Sequence, residues 1–175
     1  MKLDYRLFDL KHYDKEIQEI YETSFPENER PPFEMLLSFK EAKFYGVYLD
    51  NRPVGLMDTI QYQDIVYLFF LAVSSKERGN GIGSQILTDF KEQYKDRRLF
   101  LLADEVSPIY QDYEERKKRF SFYAKNGFHP EGVFIKEFGV RYEYLTHDCR
   151  IEKHELLDIM ELLIGKDMVD QYYED

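Results

Sequence analysis

Between Arg78 and Ser84 the chain reads Arg-Gly-Asn-Gly-Ile-Gly-Ser, with glycine at positions 79, 81 and 83. A residue without a Cβ can take positive φ and leaves its N–H uncovered. Ile82, Ile86, Leu87, Phe90 and Tyr94 then follow at the spacing of one helical face, so the glycines lie at a helix N-terminus. Unpaired amides at such an end, together with its partial positive charge, attract an anion, most often a phosphate or diphosphate. Lys76 and Arg78 add side-chain charge beside it.

Other glycine loops fit less well. A nucleoside triphosphatase loop needs Lys and then Ser or Thr after its last glycine, whereas this chain has Ser84-Gln85. A dinucleotide fingerprint gains support from Asp104, which follows the next strand and stands where a ribose-binding carboxylate would. Against it, Ser84 replaces the third glycine, and Ser74 to Arg78 separate strand from glycines where that fold turns tightly. A plain surface turn needs one or two glycines, not three.

The elements that must position this loop are legible in the apolar pattern. Tyr13, Ile17, Ile20 and Tyr21 predict a helix over His12–Ser24, ending before Pro26, and a second opens after the paired prolines through Phe33, Met35, Leu36, Leu37 and Phe39. The loop between them carries Glu27 and Glu29. Phe44–Leu49 and Pro53–Ile60 read as a hairpin. Val66–Val73 shows no polar alternation, as expected of a central strand covered on both faces, and Arg98–Ala103 is a second buried strand beyond the glycine-led helix. "EERKKRFSFYAKNGF" predicts a basic helix closed at Gly127, "GVFIKEFGVRYEYL" a hairpin turning near Gly139, and "HELLDIMELLIG" a helix that either packs on the domain or mediates a homodimer. The expected organisation is one domain over residues 1–150 with a helical appendage over 151–175.

Composition narrows the partners. The net charge of −10 opposes phosphate backbones and anionic lipid, so nucleic-acid and membrane partners are not expected and a small cationic or neutral molecule is. Cys149 is the only cysteine, which leaves no internal disulfide and suits a reducing compartment. The first sixteen residues contain no apolar signal core, and the longest apolar run is too short to span a bilayer, so the expected location is the cytoplasm. His12, His129, His147 and His154 are scattered without ligand spacing, and no metal is expected.

"LAVSSKERGNGIGSQIL" resembles the acyl-coenzyme A signature of the GCN5-related N-acetyltransferase (GNAT) family, with Arg78, Gly81 and Gly83 at its defining positions. "FYAKNGF", forty residues beyond Gly83, is similar to the same family's helix-to-strand segment, with its tyrosine at Tyr123 and turn glycine at Gly127. The resemblance implies a mixed α/β (α+β) fold. A central mixed sheet of six to seven strands would contain two splayed parallel strands, flanked by about four helices and followed by a C-terminal helix. It implies that acetyl-coenzyme A is the co-substrate. Leu71, Ala72 and Val73 would meet its pantetheine arm through backbone groups. Arg78, Gly79, Asn80, Gly81, Ile82, Gly83 and Ser84 would wrap its diphosphate. Arg116 departs from the pattern, since many relatives carry asparagine there, and the "RKKR" run it opens reads as a solvated helix face.

Acetyl transfer to an amine needs a neutral nitrogen, a polarised carbonyl and a proton for the departing thiolate. An alkylamine has a pKa of about 10.4, so a base or a water chain must take its proton. Tyr123 is the candidate acid, because a phenol is still protonated at neutral pH and the family's tyrosine has this role. The Val73 N–H would meet the oxyanion. Glu105 is the candidate base, with Asp104, Glu27 and Glu29 as alternatives. The expected function is N-acetylation of a primary amine on a small cationic molecule by direct transfer. The other readings are a catalytically silent coenzyme A binding module, a protein N-acetyltransferase and a nicotinamide-binding protein.

Overall fold

The structure is a computed structural model that describes residues 1–137 and 139–172, apart from the side chains of residues 171 and 172. Seven strands form a mixed sheet in the order β1-β2-β3-β4-β5-β7-β6 with one parallel pair, and six helices accompany them. The chain divides into two compact units, Met1–Gln61 with Tyr67–Gln93, and residues 62–66 with 94 onward.

The first unit holds β1 (Asp4–Leu7), α1 (Lys15–Ser24), α2 (Phe33–Ser38), β2 (Ala42–Leu49), β3 (Arg52–Tyr62), most of β4 (Ile65–Val73) and α3 (Ile82–Gln93). Asp14 caps α1 by accepting from the Glu16 N–H at 2.8 Å, and Ile17, Ile20 and Tyr21 turn inward. Pro32 opens α2, where a missing N–H leaves nothing unpaired. Asp50 and Asn51, at φ 49° and 62°, make the two-residue turn that sets β2 against β3. In that register Phe44 faces Asp58 and Gly46 faces Leu56. The buried rings of Tyr21, Phe33, Phe44 and Phe70 form an aromatic core on this face, Tyr21 meeting Phe70 edge-on at 5.3 Å between centroids and Phe33 meeting Phe44 at 5.2 Å.

β3 also fixes where β4 ends. The Ser74 N–H donates to the Val54 carbonyl at 2.8 Å, and Arg52 pairs with Glu77 at 2.6 Å. Next to the first of those ties stands Gly55, where an added Cβ would lie 2.6 Å from the Ala72 carbonyl oxygen and 3.5 Å from Ile86 of α3. Only a residue without a side chain allows that approach.

The second unit contains β5 (Arg98–Asp104), α4 (Tyr113–Lys125), β6 (His129–Glu137), β7 (Val140–His147), α5 (Lys153–Ile164) and α6 (Lys166–Tyr172). β7 pairs antiparallel with both β5 and β6, with Leu101 opposite Leu145 and Ile135 opposite Tyr142. α5 opens on a reciprocal cap between Glu152 and Glu155, and its Leu156, Ile159 and Met160 are buried. Arg98 clamps the start of that helix. Its guanidinium donates to both oxygens of Asp64 at 2.8 Å, to both oxygens of Glu155 at 2.7 and 3.0 Å, and to the Arg150 carbonyl at 3.0 Å.

Two departures from the sequence reading concern edges. β1 was not expected, because Asp4, Arg6 and Leu7 are exposed and four residues at a sheet edge carry no apolar alternation. The helix read in "HELLDIMELLIG" is α5 and ends at Gly165 as that stretch does, but the short α6 beyond it, with Val169 buried, was not read from the sequence. Among the described residues no helix is long and apolar enough to cross a membrane.

Gly55→Ala is expected to destabilise the protein by about 2 kcal/mol, as overpacking against backbone does, with a lower thermal midpoint as the readout. The Arg98 and Glu152 hydrogen bonds hold the Glu155 carboxyl down to about 2 from 4.5. A lowered folded pKa contributes stability above pH 4.5 that is lost as pH falls toward 2. Glu155→Gln should therefore cost about 1 kcal/mol at pH 7, the pair being partly solvated, and the gap to the parent in urea unfolding should close below pH 4.5.

Candidate functional site

The glycine loop joins β4 to α3 inside the first unit. After Val73 the chain makes a single 3-10 turn over Ser75–Glu77, closed by the Glu77 N–H on the Ser74 carbonyl at 2.9 Å, and then enters Arg78–Gly81. Gly79 and Gly81 sit at φ 81° and 77°, a region closed to most side chains. No atom lies within 4 Å of where a Cβ would stand on either, so backbone conformation and open space, not crowding, are what these glycines supply. The Gln85 N–H donates to the Gly81 carbonyl at 3.0 Å, which places Gly81 at the start of α3. The first turn of that helix has no acidic residue and presents N–H groups that no earlier turn can accept from. Arg78, Gly79, Asn80 and Gly81 are exposed, Gly83 and Ser84 half-buried, and Ile82 buried as the anchor. On β4, Leu71 and Val73 are half-buried while Ala72 is buried. The Arg78 side chain donates to the Val73 carbonyl at 3.4 Å, linking loop to strand. This cradle has the charge, open space and donors that a diphosphate requires.

Tyr123 stands on α4 in the second unit, and the Phe128 N–H donates to its carbonyl at 3.0 Å as the helix ends. Burial pushes its phenol up to about 12. Arg119 pulls the other way and Asp104 adds to the rise, and those two side chains are themselves ion-paired. The hydroxyl is thus protonated at neutral pH.

Glu105 is differently placed from a free base. One carboxylate oxygen accepts from Tyr110 at 2.8 Å, and the other pairs with Arg141. Its backbone carbonyl accepts from Arg116 at 3.1 Å. Arg116, one of the few buried charged residues at 9% exposure, also donates to Asp112 at 2.8 Å and lies 3.9 Å over the Tyr110 ring. The "RKKR" run is therefore not uniformly solvated. Its first arginine secures the loop between β5 and α4, while Lys117, Lys118 and Arg119 are exposed. Asp104 is taken by Arg119, and Glu27 and Glu29 are exposed on the segment between α1 and α2. Among the described residues no group of three or more His, Cys, Asp or Glu side chains is arranged to hold a metal ion.

One carboxylate was not singled out from the sequence. Asp58 lies in the middle of β3, 0% exposed, and neither of its oxygens has a hydrogen-bond partner among the described residues. Burial raises its carboxyl well above the ordinary 3.8, against a smaller downward pull from the Thr59 N–H. The signal was present in "VGLMDTI", an acid at the same strand parity as the inward-facing Leu56 and Ile60.

Residues 14–128, well over half of the chain, match the model of the acetyltransferase (GNAT) family. The chain belongs to that family. Solved structures agree at the level of fold. A protein described as a GNAT-family acetyltransferase from Bacteroides thetaiotaomicron superposes with a TM-score of 0.76 at 18% identity, over 93% of this chain and 99% of that one. A Bacillus subtilis acetyltransferase in complex with coenzyme A gives 0.61 at 16% identity, over 85% and 100%. An aminoglycoside 6'-N-acetyltransferase complexed with coenzyme A gives 0.61 at 16%, over 85% and 99%. No curated protein is a significant match in sequence.

Because the folded Asp58 holds a proton that the unfolded chain gives up near pH 3.8, its burden on stability is absent below that pH and grows as pH rises. Asp58→Asn removes the ionisable group and is therefore expected to gain stability relative to the parent as pH rises. Chemical unfolding of both proteins from pH 4 to pH 8 should show the gain growing with pH.

Proposed function

We propose that this protein transfers the acetyl group of acetyl-coenzyme A to a primary amine on a small cationic molecule, directly and without an acetylated enzyme. The observation that carries the reading is the glycine loop. In a chain of this family it opens at a helix N-terminus with positive φ at Gly79 and Gly81, free space above both and Arg78 beside them.

In this reading Arg78, Gly79, Asn80, Gly81, Ile82, Gly83 and Ser84 hold the diphosphate through backbone N–H groups and the one guanidinium. Leu71, Ala72 and Val73 provide backbone partners for the pantetheine arm, and the Val73 N–H meets the carbonyl oxygen as it gains charge. The co-substrate supplies an activated acetyl group and a thiolate leaving group. Tyr123 holds a proton at its phenolic oxygen. An ordinary thiol ionises near 8.5, well below the Tyr123 phenol at about 12. The phenol therefore steadies the departing thiolate as a hydrogen-bond donor, and any proton it gives up is replaced from solvent. The acceptor amine gives its proton to solvent through water and attacks as the neutral base. Glu105 takes part through position: with Arg141, Tyr110 and Arg116 it stiffens the segment that leads into α4 and so orients Tyr123.

A cationic acceptor is supported by the net charge of −10 and by the exposed acids between α1 and α2. It also agrees with the fold shared with an aminoglycoside acetyltransferase, whose substrates are amine-bearing.

Thermal unfolding with acetyl-coenzyme A, coenzyme A and NAD tests the donor site. At a hundredfold excess over Kd, both coenzyme A species should add about 2.7 kcal/mol, NAD should add nothing, and the Arg78→Ala, Gly81→Asp double variant should lose the effect. Tyr123→Phe should bind acetyl-coenzyme A as the parent does while its kcat with an accepted amine falls about a hundredfold. Equal turnover in both proteins would leave a coenzyme A binding module as the better description.

A further inference from the structure

A carboxylate enclosed by apolar groups destabilises a protein unless a cation or hydrogen-bond donor answers it. Asp58 has neither. Its two oxygens are the only buried side-chain polar atoms without a partner among the described residues, and no neighbouring cation contributes to its titration. The group stands on the β3 face that also carries Leu56, directly across from Phe44, and its charge is felt by the Tyr21 phenol.

The cluster on that face is largely aromatic. Tyr21 and Phe70 meet edge-on at 5.3 Å, Tyr21 and Phe33 lie 5.7 Å apart, and Phe25 packs on Phe70 at 4.8 Å. Ring faces carry negative charge density, so they attract a cation and disfavour an anion. A buried anion among such faces matches an ammonium group better than any other small ligand: the carboxylate oxygens accept from its N–H groups, and the rings contact its alkyl or aryl body. Phe25 is only half-buried, and the segment following it carries the exposed Glu27. That side of the unit has the sign of charge that attracts a cation.

The position along the sheet also suits an acceptor. At Gly55, β3 approaches the Ala72–Val73 end of β4, where the pantetheine arm is proposed to pair. Asp58 is three residues further along β3, about 10 Å by strand rise.

We propose that Asp58, on the β3 face that carries the cluster of Tyr21, Phe33, Phe44 and Phe70, binds a cationic nitrogen of the acetyl acceptor and thereby selects alkyl or arylalkyl primary ammonium compounds; this rests on the acetyltransferase reading above. The ligand-free carboxyl keeps its proton in the absence of a cation. When an ammonium enters, the pair R–NH3+ and Asp58–COO− replaces Asp58–COOH, and one proton leaves to solvent.

Phenethylammonium and its neutral analogue 2-phenylethanol are the probes, with thermal unfolding and calorimetry as readouts. The parent, Asp58→Asn and Asp58→Leu are compared, each with and without acetyl-coenzyme A. The parent should bind phenethylammonium and not the alcohol, releasing a proton detectable as a dependence of the binding heat on buffer ionisation. Both variants should bind it about tenfold or more weakly, the scale of a charged hydrogen bond, and keep the parent's response to acetyl-coenzyme A. Asp58→Leu places an apolar group in an apolar site, so it is expected to fold and to carry the comparison if the amide does not. Equal binding of amine and alcohol, or undiminished amine binding in the variants, would overturn the proposal while an intact acetyl-coenzyme A response left the family function standing. Amine binding through Asp58 with no response to acetyl-coenzyme A would have the opposite meaning: the ammonium site holds and the donor reading falls.

Discussion

The close approach of β3 to the end of β4 is the constraint on which the first unit's chemistry depends. A backbone carbonyl, that of Ala72, occupies the space a side chain at Gly55 would need, and ties from Val54 and Arg52 just before it hold Ser74 and Glu77. β4 therefore leaves the sheet at a fixed point and in a fixed direction. The loop that follows need not be rigid along its whole length, because its entry is set by β3 and its exit by the buried Ile82 at the head of α3. Two glycines at positive φ can then be spent on exposing amides instead of on connecting the elements. An anion site results from a strand and a helix each held by something other than the loop itself.

The same face of the unit shows how stability and function are divided. Most of its interior is assembled from aromatic rings whose packing would tolerate no charge, yet Asp58 interrupts it with both oxygens unanswered. The second unit follows the opposite rule. Glu105, Arg141, Tyr110, Arg116 and Asp112 satisfy one another, so its polar groups act as struts. Ionisable groups that are mutually satisfied hold shape, whereas Asp58, without a partner among the described residues, is the group the proposal assigns to a ligand.

Much of this was legible in the sequence, for identifiable reasons. Helices α1 and α3 and strands β4 and β5 announce themselves because each buries a continuous apolar stripe or run. The glycine loop is legible because three closely spaced glycines have few uses. What escaped was information carried by partners distant in sequence. β1 is a strand because β2 offers it an edge, not because its own residues alternate. Arg116 looked like one of four solvated cations, and only the fold brings Tyr110, Asp112 and the Glu105 carbonyl around it. Asp58 was hidden differently: one acid in a strand looks like a solvent-facing position until the register with Phe44 shows which way it points.

The Arg98 clamp has a consequence for the order in which the second unit comes together. Its guanidinium binds Asp64, 34 residues earlier in the chain, and Glu155, 57 residues later. β5, from which Arg98 projects, pairs with β7, whose last paired residue is His147. On the ribosome, β5 and its arginine emerge well before either of those later partners exists. Closure of such long loops must precede the contacts that reward it, which is slow compared with forming a helix. The first unit's hairpin and aromatic face can be complete while the second is still waiting. Newly made chains would thus pass through a stage with one half ordered and the other exposing the apolar residues of β5, and α5 would act as the latch that ends it.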